Sequence, residues 1–484
     1  MNKPIRRISI FCLVLILALM VRANWVQGVQ ADALATNKNN KRQLYDRYAH
    51  PRGNIIAGGQ PVTSSDFVNG VRFKYKTSWV DGPMWAPVTG FSTLGQSSGL
   101  EALEDGVLSG SDDRLFFRNT LDMLTGEPKK GGDVVTTINP KVQKAAWDAM
   151  NGKKGAVVAL DPKTGAILAL VSAPSYDPGT ISGYDNDATK AWNDLNADPN
   201  KPLDNRALKY TYPPGSTFKL VTATAAFENG MFQSIDDATS TPDPYTLPGT
   251  QTTLKNESPN ERCENATVKA GMDQSCNTVF AKIGADLGKD KMRAQAEKFG
   301  FNSTIDTPVR AEKSVFPNSA SLDGTAQDSI GQHDTRATPL QVAMVSAAIA
   351  NNGSLMQPYL VDQERSASLT TLSKHTEKQF SQAMSPATAQ KMQDLMVSVV
   401  QDGTGKNAQI PGVQVGGKTG TAQHGENNSG LPYAWFTSWA KTPDGQSVAV
   451  AVVVEDGSDN RDGISGGRLA APIAKAVMQA ALGK

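Results

Sequence analysis

The chain has 484 residues, more than one hydrophobic core usually organises, so two or three domains are expected. Hydrophobic residues make up 39% and charged residues 20%, a globular balance that excludes a disordered chain. With 48 Lys and Arg against 47 Asp and Glu, the net charge of +1 gives no reason to expect a nucleic-acid partner.

The N-terminus comes first. Lys3, Arg6 and Arg7 precede an apolar run from Ile8 to Val21, which Arg22 interrupts. Positive charge ahead of an apolar stretch keeps the amino end inside and exports the chain beyond it. The uninterrupted run is shorter than the roughly 20 residues of a full span. A cleaved signal peptide ending near Ala33-Leu34-Ala35 and a signal anchor are both open. The anchor is favoured, because that cleavage-like site lies far beyond the apolar core. Arg22 can snorkel to the far interface while Trp25 sits among headgroups. Residues 1–28 are thus expected to be a cytoplasmic stub and single-pass anchor, with the remainder outside the cytoplasm. Export places Cys263 and Cys276 in an oxidising compartment, whereas Cys12 lies in the apolar segment. A Cys263–Cys276 disulfide and two unpaired small hydrophobes both stay open.

Residues 29–135 are rich in Asn, Gly, Ser and Asp, with Gly-Gly pairs at 58–59 and 131–132. They read as a small, loop-rich domain with strands and no catalytic spacing. From Asp133 the character changes, and residues 136–484 form the second domain. Asn139 and Pro140 start a helix running to about Met150. Ala156–Leu160 and Ala166–Val171, separated by Asp161-Pro162-Lys163-Thr164-Gly165, read as a hairpin. Helical patterns occupy 216–229, 277–287, 289–298, 338–351 and 386–400. Strands are expected at Val413–Thr421, Tyr433–Ala440 and Val448–Glu455, and a last helix runs from about Leu469 to Leu482. Antiparallel strands at both ends of a domain, with helices between, predict an α+β fold: one sheet covered by helices.

Three short motifs carry the chemistry. Ser216-Thr217-Phe218-Lys219 follows Tyr212-Pro213-Pro214-Gly215, which predicts a helix opening at Ser216. Positions i and i+3 share a helix face, so the Ser216 hydroxyl can meet the Lys219 amine. An amine with a lowered pKa can take the proton that keeps a serine hydroxyl a poor nucleophile. Ser275-Cys276-Asn277 lies between two helical patterns and can aim a hydroxyl and an amide at one point. Lys418-Thr419-Gly420-Thr421 lies on a strand whose hydroxyls, lysine and glycine suit a carboxylate-bearing peptide. Each motif alone is weak. Ser-x-x-Lys more often marks a capped helix with a solvated lysine, and Ser-x-Asn an ordinary turn. Lys163-Thr164-Gly165 repeats the third tripeptide at a hairpin turn, where turn chemistry explains it. Their order is what carries weight, because Ser-x-x-Lys, Ser-x-Asn and Lys-Thr-Gly in succession form the signature of penicillin-binding proteins and serine β-lactamases.

From about residue 133 onward the chain resembles the class B, monofunctional penicillin-binding proteins, particularly the actinobacterial penicillin-binding protein A group. The likeness includes Gly155–Pro162, Pro174–Pro178, Asn205-Arg206-Ala207, Gly331-Gln332, Thr338-Pro339-Leu340-Gln341, Asn352-Gly353 and Trp435-Phe436. Arg52-Gly53-Asn54-Ile55 resembles the opening of the family's N-terminal pedestal, although Ala57-Gly58-Gly59 stands where Asp-Arg often follows. The resemblance implies a penicillin-binding transpeptidase fold with a pedestal domain. It makes Ser216 the acyl acceptor, Lys219 its base, Ser275 a proton relay and Asn277 a contact to the substrate amide and Lys219. Lys418 would act electrostatically and push Lys219 toward neutrality. Thr419, Gly420 and Thr421 would bind substrate, with the backbone N–H groups of Ser216 and Thr421 as oxyanion hole.

The implied activity is D,D-transpeptidation of D-Ala-D-Ala stem peptides in peptidoglycan, with β-lactams as acylating mimics. No cofactor or metal is expected, since His-Glu-x-x-His and Cys-x-x-Cys are absent. The expected partners are stem peptides, β-lactams, the plasma membrane and cell-division or elongation proteins. A D,D-carboxypeptidase differs only in acceptor, and a β-lactam sensor or division scaffold is a further alternative. A class A β-lactamase is disfavoured because no Glu-x-x-Leu-Asn loop occurs; Glu257, Glu261 and Glu264 read as solvated loop charges. No Gly-x-Ser-x-Gly elbow surrounds Ser216, and His424 reads as a rim residue.

Overall fold

Five antiparallel strands form the central sheet, in the order Gln414–Ala422, Tyr433–Lys441, Ser447–Val454, Gly155–Leu160 and Ile167–Ala173. They come from a computed structural model that describes residues 3–35, 37, 45, 48–68, 73–93, 95–115, 129–183, 186–257, 262–318, 321–455, 457 and 460–484. The strands are near-continuous apolar runs because both faces are covered. Val157 and Ala159 pack with Val142, Ala146 and Val477 of the Pro140–Met150 and Ala471–Ala481 helices. Ala156, Val158 and Leu160 face the opposite way, into a cluster with Leu220 and Ala343 of the Lys219–Glu228 and Pro339–Ala350 helices. The alternation is the period of two that a pleated strand imposes.

The expected elements fall close to their predicted bounds. Asn139 caps the Pro140–Met150 helix by accepting the Lys141 N–H. The helices Asn277–Leu287, Lys289–Lys298, Pro339–Ala350 and Pro386–Gln401 are present, and a π-helical turn, Gly466–Ala470, precedes the last helix. One expectation needs correcting. Ser216 does not open an α-helix: it lies on a 3-10 turn, Gly215–Phe218, and the α-helix begins at Lys219. Two prolines and a glycine with φ 52° feed the chain in at an angle that tightens its first turn.

A second sheet is shared between the two halves of the chain. Its order is Thr371–Lys374, Val361–Arg365, Asp133–Thr136, Ile55–Ala57 and Gln60–Pro61. The Asp133–Thr136 strand pairs in parallel with Ile55–Ala57 and antiparallel with Val361–Arg365. The expected boundary at 135/136 therefore runs through a strand. Arg52 begins this region, buried and donating to Glu101 Oε2 at 2.9 Å and Asp105 Oδ1 at 2.7 Å.

Lys3–Gly28 is one 26-residue helix that continues through Arg22 and Trp25, and no residue in it is buried. Among the described residues it alone is long and apolar enough to cross a membrane.

Candidate active site

The Ser216 turn is fixed from three sides. Gly215 N–H donates to Gly331 O at 2.9 Å, Trp435 Nε1 donates to Pro213 O at 3.1 Å, and Thr217 Oγ1 donates to Pro214 O at 2.8 Å. Phe218 plugs the turn into the core, with ring centroids 5.3 Å from Phe301 and 5.5 Å from Phe316. In a 3-10 turn residues i and i+3 eclipse, so Ser216 and Lys219 still share a face. The turn packs on the Gln414–Ala422 strand at Gly420, where a β-carbon would come within 3.0 Å of Trp435 Cβ and 3.1 Å of Thr217 Cγ2. The third motif needs glycine there for that close approach.

Lys219 is fully buried. Its Nζ lies 2.6 Å from Ser275 O, 2.7 Å from Asn277 Oδ1 and 3.3 Å from Ser275 Oγ. Lys418, also fully buried, reaches the same hydroxyl: Lys418 Nζ is 2.8 Å from Ser275 Oγ and 3.1 Å from Thr419 O. The Ser275 hydroxyl thus bridges two lysine amines. Ser275 adopts φ 63°, a left-handed conformation unusual for a residue with a β-carbon. In that conformation both its carbonyl and its hydroxyl meet Lys219.

The first two motifs and Lys418 therefore converge, and the two threonines of the third motif lie beside them. Thr421 lines the cleft, while Thr419 pairs its hydroxyl with Thr404 Oγ1 at 2.7 Å. A cleft of about 470 Å³ opens at Ser216, with Asn277, Thr421, His333, Arg336 and His424 among its walls. His424 stacks on Tyr433 with centroids 4.0 Å apart, and its Nε2 lies 2.6 Å from Leu431 O, which fits a rim residue. Glu257 also lines the cleft, whereas Glu261 lies outside the described residues. The second Lys-Thr-Gly is turn chemistry: Lys163 is exposed and its Nζ donates to Gly445 O at 2.8 Å.

Cys263 and Cys276 form a disulfide with Cα atoms 5.7 Å apart, tying the middle residue of the second motif to the preceding loop. Two supporting residues had no signature in the sequence. Asn256 Oδ1 accepts the backbone N–H groups of Asn277 at 2.7 Å and Thr278 at 3.1 Å, capping the helix that carries Asn277. Its Nδ2 is itself held by Asp243 Oδ2 at 2.9 Å. Thr404 joins the helix preceding the second motif to the third motif, since its N–H reaches Asp273 O at 3.3 Å while its hydroxyl meets Thr419. Its only local signal is the glycine on either side of it, Gly403 and Gly405.

Residues 155–479 match the penicillin-binding protein transpeptidase domain, and residues 52–134 match the penicillin-binding protein A dimerisation domain. The chain belongs to the penicillin-binding protein transpeptidases. Among relatives of this penicillin-binding protein, the peptidoglycan D,D-transpeptidase PbpA of Mycolicibacterium smegmatis is 44% identical, covering 100% of this chain and 99% of that one. PbpA of Mycobacterium tuberculosis is 42% identical over the same shares. Penicillin-binding protein A from M. tuberculosis, solved as its ceftriaxone acyl-enzyme, superposes with a TM-score of 0.86 at 41% identity, covering 90% of this chain and 100% of that chain. Its penicillin G acyl-enzyme gives 0.83 at 42% identity over the same shares.

Proposed function

We propose that this penicillin-binding protein is a peptidoglycan D,D-transpeptidase working through a Ser216 acyl-enzyme. The observation that carries the assignment is the set of partners around Lys219 Nζ. A neutral amine has two N–H donors and one lone pair. The short contacts to Ser275 O and Asn277 Oδ1 fix the amine beside the second motif, and the Ser216 hydroxyl stands one turn away on the same face. Burial and the second amine, Lys418, on the shared Ser275 hydroxyl both favour the uncharged form of Lys219.

Ser216 Oγ then attacks the carbonyl between the two D-Ala residues while Lys219 takes its proton. The oxyanion is held by the backbone N–H groups of Ser216 and Thr421, each such donor contributing about 3–4 kcal/mol to the transition state. Ser275 relays the proton to the departing D-Ala amine, and Asn277 holds the donor's amide. Thr419 and Thr421 seat its terminal carboxylate, beside Gly420, and Lys418 acts electrostatically across the site. An amine of a neighbouring stem then takes the acyl group. Penicillin enters as a mimic of the donor and stays on Ser216.

In this reading residues 1–28 anchor the protein in the bacterial cell membrane, residues 29–135 form a pedestal, and residues 136–484 act outside the cytoplasm. The partners are cell-division or elongation proteins.

The test incubates full-length protein in detergent with a D-Ala-D-Ala donor, with and without an amine. D-Ala release with a new amide supports transpeptidation. Release with hydrolysis alone makes it a carboxypeptidase, and no release leaves a scaffold.

A further inference from the structure

Among the cleft residues outside the three motifs is His333. His333 stands two positions after Gly331, whose carbonyl accepts the Gly215 N–H, so its turn is braced against the residue preceding the nucleophile. The His333 backbone has φ 54°, a left-handed conformation that few residues with a β-carbon adopt. Its carbonyl accepts Arg336 Nη1 at 2.7 Å. The ring is oriented as well: Nδ1 lies 3.4 Å from Asp328 Oδ2 and 3.5 Å from Asp334 Oδ2.

Asp328 is fully buried, and its Oδ1 accepts the N–H groups of Asp334 and Thr335 at 3.0 and 3.1 Å. Its Oδ2 is the oxygen that faces the imidazole. Burial raises the Asp328 carboxyl above its ordinary range, and positive charge on His333 opposes that rise. His333 lines the same cleft as Ser216, with its Nδ1 side toward the two carboxylates. A base held by a third group is the recurring arrangement for activating a nucleophile. The charged groups around the ring are Asp323 and Asp328 of the Leu322–Asp328 helix, Asp334 and Arg336 of its own segment, and Glu257 elsewhere on the cleft wall. Carboxylates outnumber the guanidinium, which suits a cationic visitor.

We propose that His333, oriented by Asp328, is the base that turns the acceptor's primary ammonium into the attacking amine in the second half-reaction. This rests on the transpeptidase reading of Ser216. The ammonium gives one proton to His333 Nε2 and becomes a neutral amine. Its nitrogen bonds to the acyl carbon and the bond from that carbon to Ser216 Oγ breaks. The second amine proton passes through Lys219 Nζ to Ser216 Oγ, and His333 returns its proton to water. Imidazole suits this task because its charge changes nearest neutral pH.

The test uses full-length His333→Asn, since Asn tolerates a positive φ. Penicillin acylation is followed alongside amide formation from a D-Ala-D-Ala donor and an alkyl-amine peptide, across pH. Near pH 7 amide formation should fall by about tenfold or more while acylation changes by less than about threefold. At high pH, where solvent deprotonates the acceptor, the variant should approach the wild type. Amide formation equal to wild type at every pH overturns the proposal, and so does a parallel loss of both half-reactions. A wild-type protein that acylates but forms no amide overturns the transpeptidase reading, and this inference with it.

Discussion

At the scale of single residues, the role proposed for Lys219 has a definite failure. Lys219→Ala should slow penicillin acylation by about 10²–10⁴-fold, the usual worth of a positioned base. Stopped-flow acylation measures this, and a wild-type rate would remove Lys219 from the mechanism. Asn256→Ala strips the cap from the helix bearing Asn277, which should cost about 1 kcal/mol of stability and also slow acylation. Denaturant unfolding and acylation rates, read together, check that pairing. Ser216, Lys219, Ser275, Asn277 and Lys418 were legible in the sequence because each sits at a fixed offset inside a motif, and the three motifs occur in one order. Asn256 and Thr404 were not legible. They act from loops remote in sequence, through one amide and one hydroxyl, and no local spacing records what tertiary packing brings to them.

At the scale of elements, apolar runs located the strands well, because strands covered on both faces have no polar side to blur the pattern. The Val361–Arg365 and Thr371–Lys374 strands leave no such pattern, for the opposite reason. They are mostly polar and only partly buried, so their partners rather than their residues make them strands. The α-helix begins three residues later than the pattern at Ser216 predicts, since periodicity cannot separate a 3-10 turn from an α-turn. The second motif depends on a neighbouring element through Cys263–Cys276, whose positions are 13 apart. Closing a loop of that size contributes about 3 kcal/mol in the chain-entropy account, so Cys263→Ser should lower the unfolding free energy by about 2–4 kcal/mol. Guanidinium denaturation of the variant beside oxidised wild type measures it. A change within error would show that the bridge carries little of the loop's stability.

Across the whole molecule, the pedestal and the catalytic region share one sheet, and a titrating pair stands at that seam. Half-buried Glu104 interacts with Glu364 of the Val361–Arg365 strand, which also pairs with Arg114 at 2.6 Å. Burial first, then the neighbouring Glu364 charge, pushes the Glu104 carboxyl up to about 7. An acid whose folded pKa is raised favours the folded state while protonated. Its contribution is fully present below the unfolded value of 4.5 and is lost as pH rises through about 7. Glu104→Gln should therefore leave stability near pH 5 almost unchanged, raise it at pH 8 and flatten the profile between. Thermal unfolding across that range measures this, and equal melting temperatures for variant and wild type at pH 8 would contradict the seam assignment.

Catalysis and β-lactam binding both rest on one hydroxyl. The most direct measurement is labelled-penicillin acylation of the full-length protein, with digestion and mass mapping of the modified residue. A single acyl group on Ser216 is the expected result, with none in Ser216→Ala and markedly slowed labelling in Lys219→Ala. Label on another residue, or labelling of Ser216→Ala at the wild-type rate, would contradict a Ser216 acyl-enzyme.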